Sequence, residues 1–114
     1  MYIITGGAGF IGSNIAWALE HLDFGKIVVC DRLNESDKWR NIAKRDLWDV
    51  IVPDCLFEFL EDNSSNIEAV IHMGAISSTT ETNVDLIIDT NFRLSMDIWK
   101  WCADHQVRLI YASS

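Results

Sequence analysis

Five short runs of apolar residues recur along the 114-residue chain, and longer segments with helical spacing separate them. The runs are rich in Val and Ile, and most are nearly continuous rather than alternating with polar residues. Runs of this kind are typical of parallel strands that are covered on both faces of a sheet. The predicted strands are YIIT (2–5), KIVVCD (26–31), WDVIV (48–52), EAVIH (68–72) and VRLIYAS (107–113).

Apolar residues at helical spacing predict three helices between these strands. We expect a helix after Gly12 that closes at Gly25, a short helix over 54–62, and a long helix over about 83–105. Thr82 followed by Asp85 predicts a capping box at the start of the long helix. The apolar stripe of that helix consists of Ile87, Leu94, Ile98 and Trp101.

The alternation of strands and helices predicts the fold class. The order β-α-β-loop-β-α-β-α-β indicates an α/β protein of the Rossmann type, with a doubly wound parallel sheet. Right-handed crossovers then give the strand order 3-2-1-4-5. The length of the chain predicts one domain over residues 1–114.

Composition narrows the classes of function. The formal net charge of −8 argues against a nucleic-acid-binding protein, which needs a positive surface. No apolar run is long enough to span a membrane, and no secretory signal is visible, so we expect a cytoplasmic protein. Cys30, Cys55 and Cys102 fit no zinc spacing and predict reduced thiols, mostly in the core. Cys102 and His105 lie one helical turn apart, but two ligands do not make a metal site, and we predict no metal.

The stretch TGGAGFIGSN (5–14) carries the clearest chemical signal. Gly6, Gly9 and Gly12 follow a predicted strand and open a predicted helix. Gly6 suits a tight turn, Gly9 leaves room for a pyrophosphate, and Gly12 lets the helix pack against the sheet. The helix N-terminus offers N–H groups to an anion. Asp31 ends the second strand, 19 residues after Gly12, where a ribose-binding carboxylate is expected. The pattern therefore predicts a dinucleotide-binding site.

Four segments together resemble the extended short-chain dehydrogenase/reductase superfamily, which includes the NAD-dependent nucleotide-sugar epimerases and dehydratases. These segments are TGGAGFIG (5–12), HMGAISSTTE (72–81), DTNFRLS (89–95) and LIYASS (109–114). The resemblance covers the whole chain. It implies an isomerase that acts on a nucleotide-sugar, here an ADP-sugar of lipopolysaccharide synthesis. It also implies a cofactor of the nicotinamide dinucleotide class and assembly into homo-oligomers.

The residues after the second strand bear on the choice between NADP and NAD. Asp31 alone favours NAD, because its carboxylate repels a 2′-phosphate. Arg32 can pair with that phosphate, and Lys38 adds a second positive charge. The resemblance implies NADP, with Phe10 and Ile11 at the pyrophosphate. A lysine common in the family is replaced by Pro53, so NAD stays the alternative. We interpret Arg40, Lys44 and Arg45 as a solvated helix face.

The segment after the fourth strand matches the part of the family that lines the cofactor, and it comprises Met73, Gly74, Ala75, Ile76 and Ser77. The hydroxyls of residues 77–80 suit either hydrogen bonds to substrate or cofactor, or capping of the next helix. Asn91 lies on the apolar stripe of the long helix, where a buried amide needs fixed partners. The resemblance implies that Asn91 faces the cofactor. His72, which ends a buried strand, is expected to be a core histidine with hydrogen-bond partners.

The resemblance also implies a tyrosine acid/base with a lysine in Tyr-x-x-x-Lys, and a serine or threonine that orients the reacting oxygen. Ser114 matches that serine. Neither Tyr2 nor Tyr111 is followed by a lysine four residues later. We therefore expect the N-terminal, cofactor-binding part of a longer enzyme without its substrate domain, inactive alone. The alternatives are a non-catalytic NAD(P)-binding module and a remnant without function.

Overall fold

The computed structural model describes residues 1–34, 36–74 and 83–112. It contains a parallel sheet of five strands flanked by helices. The strands are β1 (Tyr2–Thr5), β2 (Ile27–Cys30), β3 (Asp49–Ile51), β4 (Ala69–His72) and β5 (Arg108–Tyr111). The α-helices are α1 (Phe10–His21), α2 (Leu56–Asp62) and α3 (Val84–His105). Three short 3₁₀ turns cover Asp37–Asn41, Pro53–Cys55 and Ser64–Asn66.

The strand order is β3-β2-β1-β4-β5, which confirms the predicted order 3-2-1-4-5. Each pair of neighbouring strands is parallel, and β1 lies at the centre between β2 and β4. Thr5 is therefore paired with Cys30 on one side and with His72 on the other. The chain leaves all three strands at the same edge of the sheet, where ligands bind in doubly wound folds.

Helices cover both faces of the sheet, as the continuous apolar strands predicted. On one face, α2 and α3 pack against the sheet in a cluster that includes Ile3, Val70 and Ile98. On the other face, α1 packs against Ile4 and Ile71. The alternation of neighbouring residues between two cores explains why these strands tolerate almost no polar side chain.

Two predicted boundaries differ from the structure. Helix α1 begins at Phe10, whereas the sequence predicted a helix after Gly12. The N-cap of α3 is Asn83, whose side chain accepts the N–H of Leu86 at 3.1 Å, so the predicted capping box at Thr82 is wrong. Asparagine is among the best N-cap residues, and its short side chain reaches the third following amide.

Two of the three cysteines are in the core, as predicted. Cys30 and Cys102 are buried, and Cys55 is exposed. Burial, with the nearby Asp31 carboxylate, raises the pKa of the Cys30 thiol to about 12. Burial also raises the pKa of Cys102 to about 11. Both buried thiols therefore stay protonated at neutral pH.

Some large apolar side chains remain exposed in the described part of the chain. Strand β5 forms one edge of the sheet and exposes Ile110 and Tyr111. Helix α3 exposes a second apolar stripe that consists of Val84, Ile88, Phe92 and Trp99. Among the described helices, none combines the length and the apolar character that a membrane crossing requires.

Candidate dinucleotide-binding site

The glycine loop between β1 and α1 adopts the tight turn that the sequence predicted. Gly6 has a φ of +66°, a conformation that L side chains rarely adopt. Its N–H donates to the carbonyl oxygen of Cys30 at 2.8 Å, and its carbonyl oxygen accepts the N–H of Gly9 at 3.1 Å. A Cβ on Gly6 would lie 2.7 Å from Cα of Gly74. The turn therefore requires glycine at Gly6 for both its dihedral angle and its contact.

Helix α1 starts directly from this turn and presents open amides. Gly9 is its N-cap and has no side chain that could accept a hydrogen bond. The N–H groups of the first turn, from Phe10 to Gly12, have no acceptor within the helix. Phe10 is 83% exposed and Ile11 is 61% exposed, so their side chains point away from the core. The amides and the helix dipole together favour an anion here.

Close packing against the glycine loop, rather than against the sheet, leaves no room for a side chain at Gly12. A Cβ at Gly12 would overlap the carbonyl oxygen of Gly6 and lie 2.8 Å from Cα of Gly7. The sequence predicted that Gly12 lets the helix pack against the sheet, whereas its close neighbours, Gly6 and Gly7, belong to the preceding turn. This contact holds the first turn of α1 against the loop.

Asp31 joins the end of β2 to the glycine loop. Its Oδ2 accepts the N–H of Ala8 at 2.9 Å. Its Oδ1 accepts the N–H of Arg32 and the ammonium of Lys38, each at 2.7 Å. The side chain is only 11% exposed. The carboxylate therefore has a structural role in the loop that the sequence pattern did not indicate.

Asn41 is a further residue of the site that sequence reasoning missed. Its amide nitrogen donates to the carbonyl oxygen of Ala8 at 2.8 Å. Together with Asp31, it binds both backbone polar groups of Ala8, whose side chain is fully buried. These contacts link residues 23 and 33 positions apart, and no local sequence pattern marks them.

The two cations after β2 both form ion pairs. Lys38 contacts Asp31, whereas the Arg32 guanidinium contacts Asp54 at 2.8 Å. The Arg32 pair is exposed, and its partner Asp54 directly follows Pro53. The structure thus places Asp31 and Lys38 in direct contact and turns Arg32 towards the segment after β3.

The neighbouring basic residues are not all solvated. Arg40 and Lys44 are exposed, as predicted. Arg45 instead pairs with Glu20 of α1 at 2.9 Å, and its side chain is only 20% exposed. The prediction of a solvated helix face is therefore wrong for Arg45. The segment that carries these residues is a 3₁₀ turn followed by further turns, rather than an α-helix.

The end of β4 lies beside the glycine loop. The N–H of Met73 donates to the carbonyl oxygen of Thr5 at 3.1 Å. The next residue, Gly74, touches Gly6 as described above. The predicted cofactor contacts at Ala75, Ile76 and Ser77, the hydroxyls up to Thr80 and the orienting Ser114 lie outside the described residues.

His72 is a buried histidine with two hydrogen-bond partners, as predicted. Its Nδ1 lies 2.6 Å from Oγ1 of Thr5, and its Nε2 lies 3.0 Å from Oγ of Ser95. Burial lowers the pKa of His72 below its ordinary value, so it is neutral at pH 7.

Asn91 lies one turn before Ser95 on α3 and is half-buried. Residues four apart share a helix face, so Asn91 is on the face that meets the end of β4.

The part of the chain that the structure describes contains no cluster of side chains that could hold a metal ion. No three side chains of His, Cys, Asp or Glu come together there. His105 instead stacks on Trp101 and lies 3.4 Å from Glu61, whose carboxylate also accepts the Trp101 indole N–H at 2.6 Å.

The sheet order and the glycine turn define a protein of the Rossmann-type, doubly wound class. The chain belongs to the NAD dependent epimerase/dehydratase family, whose family model matches residues 2–114. It is 48% identical over its whole length to an ADP-L-glycero-D-manno-heptose-6-epimerase of Fusobacterium nucleatum, and it covers 35% of that protein. It is 40% identical to the enzyme of the same name from Nitratidesulfovibrio vulgaris, of which it covers 36%. The chain thus spans about a third of the length of these curated relatives.

A solved structure supports the same family. The UDP-N-acetylglucosamine 4-epimerase from Methanobrevibacter ruminantium, in complex with UDP-N-acetylmuramic acid, superposes with a TM-score of 0.75 at 25% identity. The match covers 99% of this chain and 37% of that one.

Proposed function

We propose that this chain binds NADP and forms the cofactor-binding part of an ADP-L-glycero-D-manno-heptose-6-epimerase. The observation that carries the proposal is the first turn of α1, which presents open amides directly after a glycine turn. Such a turn receives the pyrophosphate of a dinucleotide. The identity of 48% to a heptose epimerase supports the choice of an ADP-sugar as the substrate of the longer protein.

Several of the cofactor residues proposed from the sequence lie in the part of the chain that the structure describes and surround this turn. Gly6, Gly9 and Gly12 form the turn itself, and Phe10 and Ile11 supply amides and exposed apolar side chains next to it. Met73 and Gly74 stand beside the turn at the end of β4. Asn91 lies on the side of α3 that faces this strand end. We propose that these residues contact the cofactor, together with the segment that follows Gly74.

The preference for NADP over NAD rests on charges at the end of β2, where the adenosine ribose lies in doubly wound folds. Lys38 neutralises Asp31 at 2.7 Å, which weakens the repulsion that the carboxylate would exert on a 2′-phosphate. The pair between Arg32 and Asp54 is exposed, and such a pair is worth about 0–1 kcal/mol. A guanidinium can pair bidentately with a phosphate, whereas the Arg32 pair uses one carboxylate oxygen of Asp54. Arg32 would therefore exchange Asp54 for a 2′-phosphate at a net gain.

Epimerisation requires groups that these 114 residues do not contain. Only Tyr2 and Tyr111 are tyrosines, and neither begins a Tyr-x-x-x-Lys motif. We propose that turnover requires an acid/base pair from further sequence, with Ser114 as the group that orients the reacting oxygen. The second candidate is a non-catalytic NAD(P)-binding module, which needs only the glycine turn and the open amides of α1. Mixing the chain with the remainder of a heptose epimerase separates the two, because only the first candidate predicts epimerisation of the ADP-sugar.

We further propose a cytoplasmic homo-oligomer. The exposed apolar stripe on α3 supports self-association, because large exposed apolar patches mark interaction surfaces. Sedimentation of the chain at several concentrations tests this, and a monomer at every concentration would contradict it.

Isothermal calorimetry with NADP and NAD tests the proposed cofactor. We expect micromolar binding of NADP and weaker binding of NAD. Replacement of the paired lysine, K38M, should weaken NADP binding roughly tenfold or more and leave NAD binding nearly unchanged. The matched control is K44M, which removes an exposed lysine from the following turn and should change neither constant. Equal affinity of the wild type for both dinucleotides would contradict the preference for NADP, and a folded chain that binds neither would remove the proposal.

A further inference from the structure

A series of hydrogen bonds, buried between Thr5 and His72, runs from α3 to the glycine loop. Ser95 on α3 contacts Nε2 of His72 at 3.0 Å, and Nδ1 of His72 contacts Oγ1 of Thr5 at 2.6 Å. The same Oγ1 accepts the N–H of Gly74 at 3.0 Å. The series joins the ends of β1 and β4 to the middle of α3, and the sequence analysis assigned no individual role to Thr5 or Ser95.

The direction of each hydrogen bond follows from the number of donors. Thr5 is buried, and its Oγ1 already accepts the Gly74 N–H, so its own proton needs an acceptor. The nearest acceptor is Nδ1 of His72, which must therefore lack a proton. The proton of the neutral imidazole is then on Nε2 and is donated to Ser95. Among the partners that the structure describes, only this tautomer gives the Thr5 hydroxyl proton an acceptor.

The series of hydrogen bonds reaches the glycine loop through the contact between the backbones of Gly74 and Gly6. A Cβ on Gly74 would lie 3.0 Å from the Gly6 nitrogen and 3.2 Å from Oγ1 of Thr5. A Cβ on Gly6 would come still closer to Gly74, as described above. Because neither residue has room to move towards the other, the position of Gly74 limits the position of Gly6. Gly6 in turn accepts the N–H of Gly9, the N-cap of α1.

We propose that His72 is a positioning residue for the dinucleotide-binding turn, acting through Thr5 and Gly74 on Gly6. The hydrogen bond between Nδ1 and Thr5 fixes the position of the turn. The hydrogen bond between Nε2 and Ser95 fixes the imidazole to α3, which also carries Asn91. The inference rests on the proposed dinucleotide site. It assigns a role in that site to a histidine that touches neither the phosphate turn nor the open amides.

Two replacements of His72 separate the two halves of the series. H72N keeps an acceptor near the place of Nδ1, and H72Q keeps a donor near the place of Nε2. We expect H72Q to weaken NADP binding roughly fivefold, which corresponds to one lost hydrogen bond, and H72N to stay within about twofold of the wild type. The matched control is H21Q, which removes an exposed histidine at the end of α1 and should change nothing in the site.

Thr5 provides an independent test with a rescue. T5V preserves the shape of the side chain and removes the hydroxyl, whereas T5S restores it. We expect the amide resonances of Gly6 and Gly74 to shift in T5V and to return towards the wild type in T5S, with NADP affinity following the same order. Thermal melts show whether each variant is folded under the conditions in which the amide resonances and the NADP affinity are measured.

The outcomes distinguish positioning from simple core stability. If H72Q, H72N and T5V lower the melting temperature but leave NADP affinity and both glycine resonances unchanged, the proposal is overturned. A wild-type chain that does not bind NADP refutes the proposed function alone. In that case the glycine resonances of T5V and T5S, recorded without dinucleotide, still decide: a shift with rescue supports positioning, and unmoved resonances overturn it.

Discussion

A methyl group added at Gly12 tests the packing of the glycine turn against α1. In an ordinary helix interior, replacement of glycine by alanine stabilises a protein by about 0.5–1 kcal/mol. Here the new Cβ would overlap the carbonyl oxygen of Gly6 and lie 2.8 Å from Cα of Gly7. Both neighbours are backbone atoms, so no side-chain rotation relieves the overlap. The structure therefore reverses the sign that helix propensity alone predicts.

The size of the effect follows from three contributions. Overpacking of this kind costs about 1–3 kcal/mol. Displacement of the Gly6 carbonyl also weakens its hydrogen bond with Gly9, worth about 1 kcal/mol. The gain in helix propensity offsets part of this. We expect G12A to lower the free energy of unfolding by about 1–3 kcal/mol, or the melting temperature by roughly 4–12 °C.

Urea unfolding of wild type, G12A and G9A measures the difference. G9A is the matched control in the same turn, because its Cβ would lie 3.3 Å from the Gly6 oxygen and its φ of −73° suits alanine. We expect G9A to lose less than about 1 kcal/mol of stability while binding dinucleotide more weakly, since its methyl group stands where a pyrophosphate approaches. A G12A variant as stable as the wild type would refute the reasoning, as would equal destabilisation by G9A.

Two further predictions concern the thiols and the buried histidine. At pH 8 we expect Cys55 to react rapidly with a thiol reagent, whereas Cys30 and Cys102 react only after unfolding; rapid reaction of all three in the folded chain would be incompatible with the raised pKa values and burial. The folded-state pKa of His72 is below its ordinary value of 6.5, so the unfolded chain binds this proton first as pH falls. Stability should therefore be full above about pH 7 and decrease as pH falls towards the folded-state pKa. Urea midpoints across this range should depend less on pH in H72F, and an unchanged dependence would contradict the assignment.

The sequence predicted the fold because the fold depends on local patterns. Continuous apolar runs such as KIVVCD mark strands covered on both faces, and the helices between them force parallel pairing. The strand order 3-2-1-4-5 then follows from the usual handedness of crossovers. The glycine turn was likewise visible, because Gly6 adopts a positive φ in a tight turn and Gly12 contacts Gly6 and Gly7, which lie only a few residues before it.

The parts that sequence reasoning missed depend on contacts between distant residues. The carboxylate of Asp31 binds the amide of Ala8, and Arg45 pairs with Glu20 across the fold. The sequence does not distinguish an aspartate that accepts a hydrogen bond from the loop from one that is free to bind a ribose. The cap of α3 was placed one residue too early because Thr82 and Asn83 are both good N-cap residues, and only the backbone decides between them.

The central claim is that bare amides at the start of α1 receive the phosphates of a dinucleotide. Titration of the isotopically labelled, folded chain with NADP, followed by amide NMR, tests it most directly. We expect large shifts for the amides of Phe10, Ile11 and Gly12, and smaller ones for residues of β5 far from the turn. Saturating NADP that leaves these three amide resonances in place would show that the turn does not receive the phosphates.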